Sequence, residues 1–174
     1  SIAQFIAREL GQPKEYGDLL LKAAPMHDIG KIGIPDVILL KPGKLDPKEF
    51  RVMQNHARIG YEILKDSPSQ YLQMGAIIAY GHHEKFDGQG YPNALAGEAI
   101  PLPARIVAVA DVFDALTSKR PYKRAWSVQD AVDYLQIQQG RHFDPACVQA
   151  FLAQLDKVLL IRQQLQDLPP VRNG

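Results

Sequence analysis

Four of the five histidines stand where they could hold metal. His27-Asp28 closes one segment of helical apolar spacing, His56 lies inside the next, and His82-His83 ends a third. Asp111 follows five consecutive apolar residues, Ile106 to Ala110, in a fourth. The steps are 29 residues from His27 to His56, 26 from His56 to His82 and 28 from His83 to Asp111. Each is the length of a helix plus its connection, so successive helices of a bundle can each turn one ligand inward. A lone histidine such as His56 is more often a satisfied core or surface residue. A carboxylate amid apolar residues, as at Asp111, is costly unless paired or metal-bound. Adjacent His82 and His83 point roughly 100° apart on a helix, an arrangement suited to two neighbouring ions rather than one. The donors are all nitrogen and oxygen, which disfavours a structural zinc site and suits a cluster of two or more iron or manganese ions. Such a cluster clamps the attacking and leaving oxygens of a phosphoryl displacement.

Other residues extend the phosphate chemistry. Lys31, three residues after Asp28, is close enough for its ammonium to reach a metal-bound phosphate. Lys119-Arg120-Pro121-Tyr122-Lys123-Arg124 places four cations in six residues beyond Asp111. Arginine can hold a phosphate bidentately while lysine acts as a point charge; the plainer alternative is a solvated helix end favoured by the macrodipole. The Lys85 to Pro92 loop leaves the His82-His83 helix directly, and Tyr91 offers a ring and hydroxyl near the site mouth. His142, before the cap pair Asp144-Pro145, reads as structural, and Cys147 as small core packing.

The elements that must position these groups are helical almost throughout. Ile2, Phe5, Ile6 and Leu10 recur at three- and four-residue steps, with Gly11 as C-cap. A second helix is expected from about Tyr16 to Ile29, made irregular by Pro25. A third runs from Pro47 to Lys65 behind the N-cap Asp46, and a fourth from about Gln70 to His83. A Gly- and Pro-rich loop follows to roughly Pro101. A fifth helix, with Pro103 in its first turn, reaches about Lys119. The sixth spans Ser127 to about Gln139, and the last Pro145 to Gln166, leaving a frayed tail. No useful period-2 alternation appears, so the expected fold is all-α, a single bundle of about seven helices.

Bulk properties bound the rest. The 174 residues fit one domain, and 46% hydrophobic with 22% charged residues is ordinary for a globular protein. A net charge of +1 gives no general electrostatic case for DNA or membrane binding. No apolar run is long enough to span a bilayer. The single Cys147 excludes an internal disulfide framework and fits a reducing cytoplasm.

His27-Asp28-Ile29-Gly30-Lys31, Asn55-His56-Ala57-Arg58-Ile59-Gly60 and His82-His83-Glu84-Lys85-Phe86-Asp87-Gly88-Gln89-Gly90-Tyr91-Pro92 resemble the HD-GYP family of the HD-domain metal hydrolases. The similarity continues through Ala104 to Thr117, Arg120-Pro121-Tyr122-Lys123 and His142-Phe143-Asp144-Pro145. It implies an HD-domain-like bundle with an extended GYP loop and a di- or tri-nuclear cluster of iron, sometimes manganese. The implied substrate is cyclic di-GMP, hydrolysed to linear pGpG, with pGpG or GMP as the end product. The residues matching metal-ligand positions are His27, Asp28, His56, His82, His83 and Asp111. Lys31, Arg120 and Lys123 match phosphate-holding positions and Tyr91 the loop tyrosine near substrate, with Asp28 and Lys31 the implied catalytic pair. Implied partners are diguanylate cyclases of the GGDEF type, docked on Gly90-Tyr91-Pro92, and an upstream receiver or sensor domain, because Ala24 to Asp28 is similar to response-regulator members.

The family also carries a Glu and a His shortly upstream of the first matched residues. Residues 1–168 are therefore expected to be the domain, cut within its first helix, with 169–174 as tail. Alone they are expected to fold but to be weak as a phosphodiesterase. Two other readings stay open: an inert nucleotide receptor or partner-docking module, and an HD hydrolase of another nucleotide.

Overall fold

The computed structural model describes residues 1–121 and 123–168. Tyr122 and the expected tail 169–174 lie outside the described residues. Nine α-helices and two 3-10 segments follow one another there: α1 Ile2–Glu9, α2 Lys14–Ala23, a 3-10 helix Ala24–Gly33, α3 Asp36–Leu39 and α4 Pro47–Leu64. Then come α5 Gln70–Gly81, a short 3-10 turn Gly97–Ala99, α6 Leu102–Thr117, α7 Val128–Ile137, α8 Pro145–Ala153 and α9 Leu155–Gln166. The only β pairings among the described residues are isolated bridges, such as Asp87 with Ala96. The all-α expectation holds.

Several helices begin where their capping chemistry dictates. Asp46 accepts from the Glu49 N–H while the Glu49 side chain accepts from the Asp46 N–H, a reciprocal capping box that opens α4. Ser127 and Asp144 cap α7 and α8 through their side-chain oxygens. Gly11 follows α1 with φ +82, the left-handed turn expected of a glycine there.

Three expectations need correction. The helix expected over residues 16–29 ends as α-helix at Ala23, and the 3-10 helix takes over at Ala24, next to Pro25, whose ring removes a backbone donor. The last helix is broken at Gln154 (φ −104, ψ 5) into α8 and α9. A one-turn helix, α3, forms between Pro35 and Leu40, where no helix had been expected. These last two changes raise about seven helices to nine.

Helix α6 lies at the centre, packed against α1, α5, α7 and α8. Ile6, Leu20, Ile78, Ile106, Val109, Phe113, Leu135, Phe143, Val148 and Phe151 fill the core. A fully buried side chain of this size contributes roughly 1.5–3 kcal/mol. Two polar ties cross the bundle. The half-buried Arg105 guanidinium lies 2.6 Å from the Asp144 carboxylate, joining the start of α6 to the cap of α8. Arg162 on α9 donates to the Thr117 hydroxyl at 2.6 Å and sits over the Phe113 ring. On the other side of α5, the 3-10 helix packs against α4 and α5. No described helix is long and apolar enough to cross a membrane.

Candidate metal centre

A 3-10 helix has three residues per turn, so side chains at i and i+3 eclipse one another. That geometry places the Lys31 ammonium 3.2 Å from the Asp28 carboxylate. It also lets the His27 Nδ1 donate to the Ala24 carbonyl at 2.7 Å. The segment reaches α4 closely because Gly30 has no side chain: a Cβ there would collide with the His56 carbonyl oxygen and the Gly60 N–H.

His56 and His82 repeat the His27 pattern. His56 Nδ1 donates to the Met53 carbonyl at 2.7 Å, and His82 Nδ1 to the Ile78 carbonyl at 3.0 Å. A carbonyl can only accept, so each Nδ1 carries the proton and each Nε2 presents a lone pair. This is the outer hydrogen bond that orients metal-binding imidazoles. The Nε2 atoms of His56 and His82 are buried without a hydrogen-bond partner. They lie 3.9 and 3.8 Å from Asp28 Oδ1. An unsatisfied buried polar atom costs about 1–3 kcal/mol, and a cation between these atoms removes that cost.

Asp28, His56, His82 and His83 each bring a ligand atom to within 4.8 Å of the others. The ligand atoms of His82 and His83 thus lie close together, although the two positions point roughly 100° apart on a regular helix. Helix α5 ends at Gly81, so His83 lies beyond regular helix and its ring tilts 45° against His82, with centroids 4.0 Å apart. His27 and Asp111 adjoin this group: His27 Nε2 is 3.2 Å from Asp28 Oδ2 and 3.4 Å from Asp111 Oδ1. The Asp111 side chain is 41% exposed, so it stands at the rim of α6 rather than in apolar core. Its ion pairing, not burial, is what marks it.

The electrostatics suit cation binding. Burial holds the His82 imidazole down at about 4 and also lowers His56 and His83, so all three are neutral donors. Burial works against the charges of Asp28 and Asp111, yet His27 keeps both carboxyls below the usual range, with Lys31 helping at Asp28. The hydrogen bonds to Asp111 and Asp28 raise His27 to about 10. Its imidazolium occupies the place between two carboxylates that a metal cation would take, and metal binding would release that proton.

Tyr91 lies beside His83. Its ring is stacked on His83, with centroids 4.9 Å apart and planes at 17°, and its edge faces Phe50 at 6.0 Å. Burial raises its hydroxyl to about 12. Arg120 and Lys123 are exposed beyond α6 in a tight turn, where each N–H donates to the other's carbonyl. Lys123 lies 5.5 Å over the Trp126 ring, and no described ion pair joins either cation to the histidine–carboxylate group. His142 stays outside the group, stacked on Phe143, while Cys147 is fully buried. Sequence reading passed over Phe50 and Glu84. Phe50 carries no signal at sequence level, but Glu84 stands directly after the two histidines.

A sequence profile of the HD domain family matches residues 1–147. The chain is 56% identical over 160 residues to the cyclic di-GMP phosphodiesterase response regulator RpfG of Xanthomonas campestris, covering 90% of this chain and 42% of that protein. It is 46% identical to the 3'3'-cGAMP-specific phosphodiesterase 2 of Vibrio cholerae, over 93% of this chain and 31% of that one. The chain thus spans less than half the length of these relatives. Among solved structures, a cyclic GMP-AMP-specific phosphodiesterase of V. cholerae superposes with a TM-score of 0.70. That match covers 98% of this chain and 48% of the other at 20% identity, a likeness of fold.

Proposed function

The chain belongs to the HD domain family, as one of its HD-GYP members, and from that premise we propose that it is a metal-dependent phosphodiesterase opening cyclic di-GMP to linear pGpG and then GMP. The observation that carries this reading is the pair of buried, unpartnered Nε2 atoms of His56 and His82, aimed at Asp28 beside His83. His27, Asp28, His56, His82, His83 and Asp111 would hold a di- or tri-nuclear cluster of iron, with manganese able to take its place. A bound cluster supplies Lewis acidity at the phosphoryl oxygens and lowers the pKa of water.

The chain's own groups bind and orient. Asp28 steadies the Lys31 ammonium, which neutralises charge developing on a phosphoryl oxygen in the transition state. Tyr91 forms one wall of the site. Arg120 and Lys123 hold the phosphate away from the scissile bond. The Gly90-Tyr91-Pro92 loop is the docking point for a GGDEF-type cyclase, and a receiver domain elsewhere in the protein supplies the input, as the response-regulator name of the Xanthomonas relative supports. The activity belongs in the cytoplasm, where Cys147 stays reduced.

The test is turnover of cyclic di-GMP and 3'3'-cGAMP by full-length protein loaded anaerobically with iron or manganese, with products separated by chromatography. Formation of pGpG that depends on the metal supports the reading. Metal-loaded protein that binds cyclic di-GMP without cleaving it would make the chain a receptor, and preference for 3'3'-cGAMP would move the substrate to the mixed dinucleotide.

A further inference from the structure

Glu84 is 2% exposed, a buried carboxylate one residue beyond the paired histidines. It faces away from the ligand group. Its Oε1 accepts from the Asn93 N–H at 2.6 Å, and its Oε2 from the Leu95 N–H at 2.9 Å. Between these two donors stands Ala94 with φ +51, the one described non-glycine residue with positive φ. That conformation disfavours L-residues by roughly 1–2 kcal/mol, and it persists only where the surroundings over-determine it. It turns the flanking N–H groups to one side, forming the kind of concave backbone nest that binds an anion. The anion here is Glu84.

The segment held in this way includes Tyr91. The Tyr91 N–H donates to the His83 carbonyl at 3.2 Å, so the stretch 91–95 is fastened at one end by His83 and at the other by Glu84. Gly90 lets the loop lie against its own root, since a Cβ there would strike the His83 carbonyl and the Glu84 Cα. The stacked Tyr91 ring is thereby set beside His83, at the edge of the ligand group.

We propose that Glu84 is a positioning residue for substrate: its carboxylate seats the loop so that Tyr91 meets the cyclic dinucleotide, while His27, His56 and His82 stand without it. This rests on the phosphodiesterase reading above. The separation follows from the hydrogen bonds. His27, His56 and His82 are oriented by carbonyls of their own helical segments, whereas the loop's Asn93 and Leu95 donors depend on Glu84. Glu84→Gln keeps the shape of the side chain and one acceptor oxygen, but presents an amide donor to a backbone donor.

The experiment compares wild type, Glu84→Gln, Tyr91→Ala and the double variant in full-length, metal-loaded protein. Cyclic di-GMP is one substrate, and bis(4-nitrophenyl) phosphate is a small diester that needs no loop. In Glu84→Gln, metal content and small-ester kinetics should stay within about 2-fold of wild type, while KM for cyclic di-GMP rises roughly 10-fold, the mark of lost binding rather than lost chemistry. Amide exchange at Asn93 and Leu95 should quicken. Adding Glu84→Gln to Tyr91→Ala should change little further, since both act through one contact. Loss of metal and small-ester activity in step with cyclic di-GMP activity would overturn the proposal, making Glu84 a support of the metal centre. So would unchanged cyclic di-GMP kinetics with faster exchange. Wild type that cleaves the small ester but no cyclic dinucleotide sinks the parent reading, and the proposal with it, before any substitution is compared.

Discussion

Asp28 and Lys31 touch across one turn of a 3-10 helix, and their tasks should separate on substitution. Asp28→Ala removes the carboxylate that His27, His56 and His82 all approach, so elemental analysis should find most of the metal gone from folded protein. Lys31→Ala should keep the metal and lower kcat by about 10²-fold, the scale for deleting one transition-state charge stabiliser. A parallel loss of metal in Lys31→Ala would count against its assignment to the phosphate. Arg120→Ala and Lys123→Ala should chiefly raise KM, because an exposed cation away from the ligand group contributes binding common to ground and transition states. Wild-type kinetics in both would return that turn to the role of a solvated helix end.

Among the elements, the 3-10 helix is the one whose backbone is hardest to alter. Gly30→Ala sets a methyl group against the His56 carbonyl and the Gly60 N–H, both backbone atoms that no rotamer change can clear. Overpacking of this kind costs typically 1–3 kcal/mol, so urea denaturation should show at least that loss, with metal affinity falling alongside because His56 must move. The type of nearly every element was legible in the sequence, since apolar steps of three and four mark helices and Asp46, Ser127 and Asp144 mark their starts. That His27, Asp28, His56, His82, His83 and Asp111 come together was legible too, from their spacing. What could not be read depended on contacts distant in sequence or on the exact end of a helix. The termination of α5 at Gly81 lets the rings of His82 and His83 lie side by side, and no local signal at 81–83 announces it. The exposure of Asp111 depends on which side of α6 its neighbours leave uncovered, and the break at Gln154 interrupts a run whose composition is helical throughout.

For the whole molecule, the joint between the loop after α5 and the α7–α8 connection should be sensitive to acid. The His142 carbonyl accepts from the Phe86 N–H, and its ring stacks on Phe143. Burial, aided by the nearby Lys85 charge, lowers the imidazole to about 4. As pH falls through the ordinary histidine value of about 6.5, the unfolded chain takes up this proton while the folded one does not, so stability declines until about pH 4 and this contribution is then constant. Equilibrium unfolding of the metal-free protein across that range should show a shallower decline in His142→Gln than in wild type; equal slopes would show that the ring titrates alike in both states. The metal-free comparison is feasible because of how the ligands are seated. His27, His56 and His82 owe their orientation to main-chain carbonyls in their own helical segments, not to one another or to an ion. Ligand rotors that are already frozen cost little entropy to organise when an ion arrives, and they stay in place when it departs. On the proposed reading, such a scaffold should exchange one bound ion for another without passing through an unfolded state.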